Sequence, residues 1–304
     1  MTVSPRPSGI YPMLYAFFSA DGSLDRAAMR RQVEACVTNR AHGVAVLGLA
    51  TEVARLTSAE RYRLVEWVAR DLAGRLPLAV TVFGESVDEQ VALARHAHDH
   101  GAAWVILQPP RIAGAGDAEL VPFFGQVMDR LDMSAAVQNA PEYIGIGLTD
   151  DGIAELVRRH ENFRVLKGEG PVLQIRDTIV RSTEEFGEGR LAVFNGRAGL
   201  ELTDNLRAGC AGIIPGIDSF DLQARCFDAM AAGDMAGAET LYGQALPAIV
   251  FAMQSIDHLV CYGKRIAAWR LGIETVFDRP PGLVPTPFGI ECANRHARRL
   301  GRLA

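Results

Sequence analysis

A regular alternation of short apolar runs with amphipathic segments constrains the fold most, and it extends from Ile10 to about residue 225. Eight of the runs have the length and composition of buried strands. They are YPMLYAFF (11–18), GVAVLGLA (43–50), PLAVTVF (77–83), AWVILQPP (103–110), MSAAVQN (133–139), FRVLK (163–167), RLAVFNG (190–196) and AGIIPG (211–216). Strands that are apolar at nearly every position are typical of parallel sheets covered by helices on both faces. Eight strand–helix units predict a (β/α)8 barrel.

Two of the intervening segments carry clear helix signals. Residues 58–72 show helical periodicity, with Ser58 as the predicted N-cap, and residues 86–102 begin at a second N-cap, Ser86, and end at Gly101. The competing architecture is a doubly wound sheet, which a Gly-x-Gly-x-x-Gly turn after the first strand would favour. The chain has FFSADGSLD at that point, so the barrel is the favoured prediction.

The C-terminal part of the chain has a different pattern. Residues 226–304 contain no strand-like run and predict about three helices, around residues 239–254, 257–272 and 289–303, with the proline-rich stretch RPPGLVPTP before the last. No low-complexity linker precedes them. We therefore predict a barrel domain at 1–225 and a helical region at 226–304 that packs on the barrel.

Charge and cysteine usage narrow the class of protein. A net charge of -5 over 304 residues argues against nucleic acid or an anionic membrane as the main partner, since both require a basic surface. Five scattered cysteines without a Cys-x-x-Cys pair are typical of reduced thiols in a cytoplasmic protein. The aromatic run at 10–20 follows a leader with one arginine and two prolines, which favours a first strand over a signal peptide.

The strand ends identify candidate site residues, because barrel enzymes build their active sites at the C-terminal mouth. Lys167 ends the sixth predicted strand and is one of only two lysines in the chain. It is either a strand-end lysine whose amine reaches solvent, or an amine desolvated inside the mouth that attacks a ketone to form a Schiff base. Position alone leaves both interpretations open.

Six motifs resemble one enzyme family in order and spacing. YAFFSADGSLD, GLATEVARLTSAER, VQNAP, FRVLKGEGP, VFNG and GCAGIIPG are similar to the dihydrodipicolinate synthase / N-acetylneuraminate lyase family of class I aldolases, from about Ile10 to the C-terminal helices. The resemblance implies a barrel with a C-terminal helical extension, a homotetramer or dimer, an oxo-acid substrate, and no cofactor. It also implies that Lys167 is the Schiff-base lysine.

The carboxylate-binding turn of that family departs from its pattern here. The usual Gly-Thr-Thr-Gly-Glu is Gly48-Leu49-Ala50-Thr51-Glu52, so two hydroxyl donors are replaced by Leu49 and Ala50. Thr51 could supply one hydroxyl, and the backbone N–H groups remain. Two lost hydrogen bonds to a charged group would cost about 1.5–3 kcal/mol each. Two other positions, Gly196 and Ile214, match residues whose backbone faces the substrate in the family.

The proton-relaying tyrosine of the family falls on Gln138, which cannot titrate. Gln138 itself stays a candidate site residue, and four further residues are candidates to replace the tyrosine or to bind substrate: Glu142, Tyr143, Glu169 and Arg111. Glu169 follows Lys167 by two positions, and Arg111 could pair with an anionic substrate. The alternative for each is a solvated loop side chain, which we favour for Glu142 and Tyr143.

These residues predict a lyase of the class I aldolase type that acts on a 2-keto acid or related oxo-acid. A second tyrosine of the family, after the fourth strand, falls in QPPR (108–111) and is also missing. The resemblance implies that the loss of both tyrosines argues against dihydrodipicolinate synthesis itself, as does Tyr143, which replaces an arginine that this activity uses in the family. The rival hypothesis is a relative that has lost catalysis and serves as a small-molecule-binding or scaffolding protein. We expect no metal site, because the paired His96 and His100 fit a solvated helix end.

Overall fold

A computed structural model describes residues 6–303, which contain eight parallel strands surrounded by helices. The strands are β1 (Gly9–Ile10), β2 (Val44–Val46), β3 (Leu78–Val82), β4 (Trp104–Leu107), β5 (Ala135–Asn139), β6 (Phe163–Gly168), β7 (Ala192–Asn195) and β8 (Gly212–Ile213). Residues 1–5 of the predicted barrel domain and residue 304 of the predicted helical region lie outside the described residues.

Strand pairing follows the order β1-β8-β7-β6-β5-β4-β3-β2, and every pair is parallel. The two ends of this sheet meet at Met13, which bridges both Ala45 and Gly216. Backbone bonds from Leu14 N to Ala45 O (2.9 Å) and from Ala45 N to Pro12 O (3.0 Å) close the sheet on itself. The predicted (β/α)8 barrel is confirmed.

Two local predictions were wrong in position. The first regular strand is Gly9–Ile10 rather than 11–18, because beyond Ile10 the continuous ladder gives way to separate backbone bonds, such as Tyr11 N to Ile213 O at 3.0 Å, and to isolated bridges such as Met13. The N-cap of the second helix is Thr57 rather than Ser58, since the Thr57 hydroxyl accepts from Glu60 N and the Glu60 carboxylate accepts from Thr57 N. The N-cap at Ser86 is as predicted.

Thirteen helices occur in the described part of the chain. They are α1 (Arg26–Thr38), α2 (Ser58–Leu72), α3 (Val87–Asp99), α4 (Asp117–Met128), α5 (Pro141–Ile144), α6 (Asp150–Arg159), α7 (Val172–Phe186), α8 (Leu202–Arg207), α9 (Phe220–Ala231), α10 (Met235–Ala252), α11 (Ile256–His258), α12 (Lys264–Arg270) and α13 (Pro287–Leu300). A π-helical turn at Leu259–Gly263 joins α11 to α12. The predicted domain boundary at residue 225 falls within α9 and stays a prediction.

The barrel interior is filled by large side chains. Tyr11, Trp104 and Phe194 come from three separate strands or strand ends, are each almost fully buried, and have ring centroids 5.5–5.6 Å apart. Such tilted and edge-on aromatic contacts are favourable beyond the area that they bury. They make the interior a packed core, so a ligand can enter only at the ends of the strands.

No single helix within residues 6–303 has the length and apolar character needed to cross a membrane. By length and composition alone, Met235–Ala252 and Ile256–Arg270 pass that test only when taken together, and they are bent by 107° at the break between them.

Candidate active site

Lys167 lies at the carboxyl end of β6 with only 3% of its surface exposed. Its strand neighbours in register are Gln138 on β5 and Phe194 on β7. The Lys167 Nζ atom is 3.1 Å from Oε1 of Glu169, which is 7% exposed. A buried amine is costly unless it is paired, and Glu169 supplies the pairing charge. Of the two interpretations left open by the sequence, the structure therefore favours the desolvated amine over the solvated one.

Glu169 is held by a chain of side-chain amides. Its second oxygen, Oε2, accepts from Gln138 Nε2 at 2.7 Å, and Gln138 Oε1 in turn accepts from Gln108 Nε2 at 3.0 Å. Gln90 Nε2 donates to the backbone oxygen of Gln108 at 2.8 Å. Gln138, which cannot titrate, is thus a hydrogen-bond donor that orients the Glu169 carboxylate.

Gly196 makes room for that carboxylate. A Cβ atom at this position would lie 2.1 Å from Glu169 Oε1 and 2.8 Å from its Cγ and Cδ, closer than real Cβ contacts come. Glycine is therefore required for the observed place of Glu169. Gly196 does not line the pocket, and the expectation that its backbone faces the substrate stays a prediction.

A pocket at the barrel mouth contains the Lys167–Glu169 pair. It holds about 350 Å³ of empty space, part of which is open to solvent. Leu49, Ala50 and Ile214 line it, and their role in substrate binding stays a prediction. The C-terminal helical region contributes three apolar side chains that cover the mouth: Met253, Ile256 and Leu259. Sequence reasoning did not assign these to the site, because nothing in the sequence shows which helix face covers the barrel.

In the turn after β2, the free hydrogen-bond donors are backbone N–H groups and not side-chain hydroxyls. The hydroxyl of Thr51 is fully buried and donates to Leu14 O at 2.6 Å, so its hydrogen is engaged away from the pocket. Thr51 N and Glu52 N donate within the turn, to Gly48 O and Leu49 O at 3.0 Å each. Within residues 6–303, the N–H groups of Leu49 and Ala50 have no acceptor. These two N–H groups are what the turn can offer to a carboxylate.

A buried ion pair fixes the same turn from behind. Glu52, in the left-handed backbone region at φ 58°, pairs with the fully buried Lys264 through Oε1 and with Arg55 through Oε2 at 2.6 Å. Lys264 begins α12, directly after the π-helical turn that carries Leu259. Both lysines of the chain are thus buried against a glutamate, but only Lys167 lines the pocket.

The three remaining candidates, Tyr143, Glu142 and Arg111, differ in how deeply their side chains are buried. Tyr143 is half-buried, and its hydroxyl accepts from Arg197 Nε at 3.3 Å. Burial raises the pKa of Tyr143, and the Arg197 contact partly offsets this rise. Glu142 is exposed, and the Arg111 side chain is 60% exposed, with its guanidinium over the Phe83 ring. Neither Glu142 nor Arg111 lines the pocket.

Arg197 is the charged pocket residue that the sequence analysis did not identify. It directly follows Gly196, the last candidate residue of the predicted seventh strand, and lines the pocket with Lys167 and Glu169. Its Nη1 donates to Glu201 Oε2 at 2.6 Å. The usable signal was a basic residue directly after a strand end at the barrel mouth.

Comparison with known proteins agrees with this geometry. The family described as the dihydrodipicolinate synthetase family matches residues 6–268. A probable 2-dehydro-3-deoxy-D-pentonate aldolase of Escherichia coli K12 is 27% identical over 90% of this chain and 91% of its own length. An L-2-keto-3-deoxyarabonate dehydratase of Azospirillum brasilense is 28% identical, over 70% of this chain and 69% of its own.

Comparison with solved structures also finds a dihydrodipicolinate synthase. The crystal structure of dihydrodipicolinate synthase from Aquifex aeolicus superposes with a TM-score of 0.86, covering 96% of this chain and 97% of that one at 21% identity. At that identity the likeness shows the fold alone. The sequence match over residues 6–268 goes further, and by it this chain belongs to the dihydrodipicolinate synthetase family and is an enzyme of the lyase class.

Proposed function

We propose that this enzyme cleaves, forms or dehydrates a small 2-oxo acid through a Schiff base on Lys167, with Glu169 as the proton-transferring group. One observation carries the proposal: the buried contact of 3.1 Å between Lys167 Nζ and Glu169 Oε1 inside the mouth pocket. An amine and a carboxylate at this distance can exchange the proton that imine chemistry requires.

Imine formation uses the pair directly. Glu169 accepts a proton from the Lys167 ammonium, and the neutral amine attacks the oxo carbon of the substrate. One proton passes from the attacking nitrogen to the former oxo oxygen, which gives the carbinolamine. The protonated carboxyl then returns its own proton to that hydroxyl, which leaves as water. The product is a positively charged iminium beside a negative carboxylate, so the charge of the buried pair is unchanged.

The iminium then serves as an electron sink for the carbon chemistry. In cleavage, Glu169 accepts the proton of a hydroxyl on C4, the C3–C4 bond breaks, and its electrons form an enamine. In dehydration, Glu169 accepts a proton from C3, and the resulting enamine expels a hydroxyl from C4 as water after protonation. Both routes need one acid/base group, and Gln138 holds Glu169 in position for either.

Borohydride trapping tests this proposal. The enzyme is incubated with a panel of 2-oxo acids, reduced, and mapped by peptide mass spectrometry. We expect a reduced adduct on Lys167 and none on Lys264, which is an internal control because it is buried outside the pocket. If no acid in the panel gave an adduct on Lys167, the rival binding or scaffolding role would replace this one.

Two broader features belong to the same proposal. All five cysteines are free and buried, which supports a reducing, cytoplasmic compartment. Family membership supports a homo-oligomer, a tetramer or a dimer. Light scattering on the purified protein measures its mass in solution, and a monomer at micromolar concentration would contradict the oligomer.

A further inference from the structure

Arg197 is the only positively charged side chain besides Lys167 among the pocket-lining residues that the structure describes. It is mostly buried, with 17% of its side chain exposed. A guanidinium has five N–H donors in a planar fork suited to a carboxylate. The pocket therefore combines an imine-forming amine with a second cationic group on the β7 side of the mouth.

The guanidinium is oriented before any ligand binds. Nη1 donates to Glu201 and Nε donates to the Tyr143 hydroxyl, while Nη2 has no acceptor within residues 6–303. Glu201 does not line the pocket, so its carboxylate supports the guanidinium from outside. A group with two donors fixed and others free is preorganised for an anionic ligand.

The backbone at this point adopts an unfavourable conformation. Arg197, Ala198 and Glu201 have φ angles of 53°, 55° and 57°, in the left-handed region that residues with a Cβ atom rarely occupy. Left-handed non-glycine residues are concentrated at functional sites, where the surrounding structure holds them in place. The strain coincides with the segment that delivers the guanidinium to the pocket.

The other lining side chains offer no hydrogen-bond partner to hydroxyls beyond the reacting one on C4. Apart from Lys167, Glu169 and Arg197, every lining residue is apolar or glycine, including Leu49, Met253 and Ile256. A hydroxyl buried against such a wall loses its bond to water without replacement. Additional hydroxyls on a polyhydroxylated chain therefore have no side-chain partner here, whereas a chain whose C4 hydroxyl faces Glu169 and whose other carbons are apolar up to a terminal anion matches the lining.

We propose that the substrate is a 2-oxo dicarboxylate, whose second carboxylate binds Arg197 while the free N–H groups of Leu49 and Ala50 hold the first. This inference rests on the proposed imine at Lys167. It separates the enzyme from the two relatives described above, the aldolase and the dehydratase, whose names refer to deoxy sugar acids.

Three six-carbon acids that differ in their distal carbons test this assignment. They are 2-oxoadipate, with a second carboxylate; 2-oxohexanoate, with a methyl group; and 2-keto-3-deoxygluconate, with three hydroxyls. The half-saturating concentration for trapping on Lys167 should be at least about tenfold lower for 2-oxoadipate than for the other two, since a charge-assisted bidentate contact is worth this much or more.

Variants assign the preference to one residue. Arg197→Gln should raise the half-saturating concentration of 2-oxoadipate about tenfold or more and leave that of 2-oxohexanoate within twofold. Arg159→Gln, on the exposed surface of α6, is the matched control and should change neither. Equal affinities for 2-oxoadipate and 2-oxohexanoate in the wild type, a preference for the hydroxylated acid, or an equal effect of Arg197→Gln on both would overturn the inference.

A second readout separates this inference from the imine mechanism. Calorimetric binding of 2-oxoadipate and 2-oxohexanoate to Lys167→Met, alone and with Arg197→Gln, reports carboxylate recognition without any covalent step. Arg197-dependent preference for the dicarboxylate without an adduct on Lys167 would support the inference and contradict the proposed mechanism. Adducts on Lys167 without an Arg197-dependent preference for the dicarboxylate would support the imine mechanism and contradict this inference.

Discussion

Substituting Gly196 by alanine should disable the enzyme without unfolding it. The new Cβ would lie 2.1 Å from Glu169 Oε1, and the carboxylate must move about 0.9 Å to bring this contact to the 3.0 Å that real Cβ atoms require. A shift of this size away from Gly196 disturbs the 3.1 Å contact with Lys167 and the 2.7 Å bond from Gln138 together. Misplacement of a reacting group by about 1 Å can cost about 100-fold in rate.

Steady-state kinetics with the best-trapped oxo acid gives the rate, and circular dichroism gives the fold. We expect kcat of Gly196→Ala to fall about 100-fold. The matched control is Gly243→Ala, the same change on the exposed face of α10 with no atom within 4 Å, which should keep the wild-type rate. In a Glu169→Ala background, Gly196→Ala should cost little more, because the clash is gone. A folded Gly196→Ala enzyme with wild-type kcat would refute the reasoning.

Three other changes test the surroundings of the site. Gln138→Leu removes the hydrogen-bond donor to Glu169 and should lower kcat about tenfold or more, because a hydrogen bond to a charged group is worth roughly 1.5–3 kcal/mol. An unchanged kcat would show that Glu169 needs no such partner. Lys264→Met leaves Glu52 with Arg55 alone and should lower the free energy of unfolding, measured in urea, by about 3 kcal/mol. The double variant Glu52→Gln with Lys264→Met should recover part of this loss. An equal loss of stability in the single and the double variant would contradict a buried ion pair. The Arg279 guanidinium lowers the pKa of Glu60 to about 2, so Glu60 stabilises the fold above its ordinary pKa of 4.5 and loses this effect as the pH falls toward 2. Glu60→Gln should therefore unfold at lower urea than wild type at pH 7, with the difference shrinking below pH 4.5, and a pH-independent difference would contradict this.

The barrel was predictable because a parallel strand that is buried on both faces has a nearly continuous apolar sequence, as in LAVTV of β3. The place of Lys167 followed from the same pattern, since the end of a strand marks the mouth. The shift of the first strand to Gly9–Ile10 could not be seen, because the residues from Tyr11 to Phe18 are all buried whether or not they pair with a neighbouring strand.

The partners of Lys167 were predicted less completely because they depend on contacts through space. From the sequence, Gln138 appeared as a lost tyrosine and a candidate site residue with no known partner, whereas its bonds to Glu169 and Gln108 join three separate strand ends. Arg111 and Arg197 both follow strand ends, yet one guanidinium packs over Phe83 in solvent and the other lines the pocket. The course of each loop decides this, and no local pattern encodes it.

Exchange of the C3 protons of a 2-oxo acid in deuterated water, followed by NMR, tests the central claim most directly. The enamine forms only after an imine on Lys167 and a proton transfer, so the exchange reports both residues. We predict that Lys167→Met abolishes the exchange and the borohydride adduct. Glu169→Gln should still form the adduct on long incubation but exchange about 100- to 10,000-fold more slowly. Exchange at the wild-type rate in Glu169→Gln would contradict the assignment of Glu169 as the proton-transferring group.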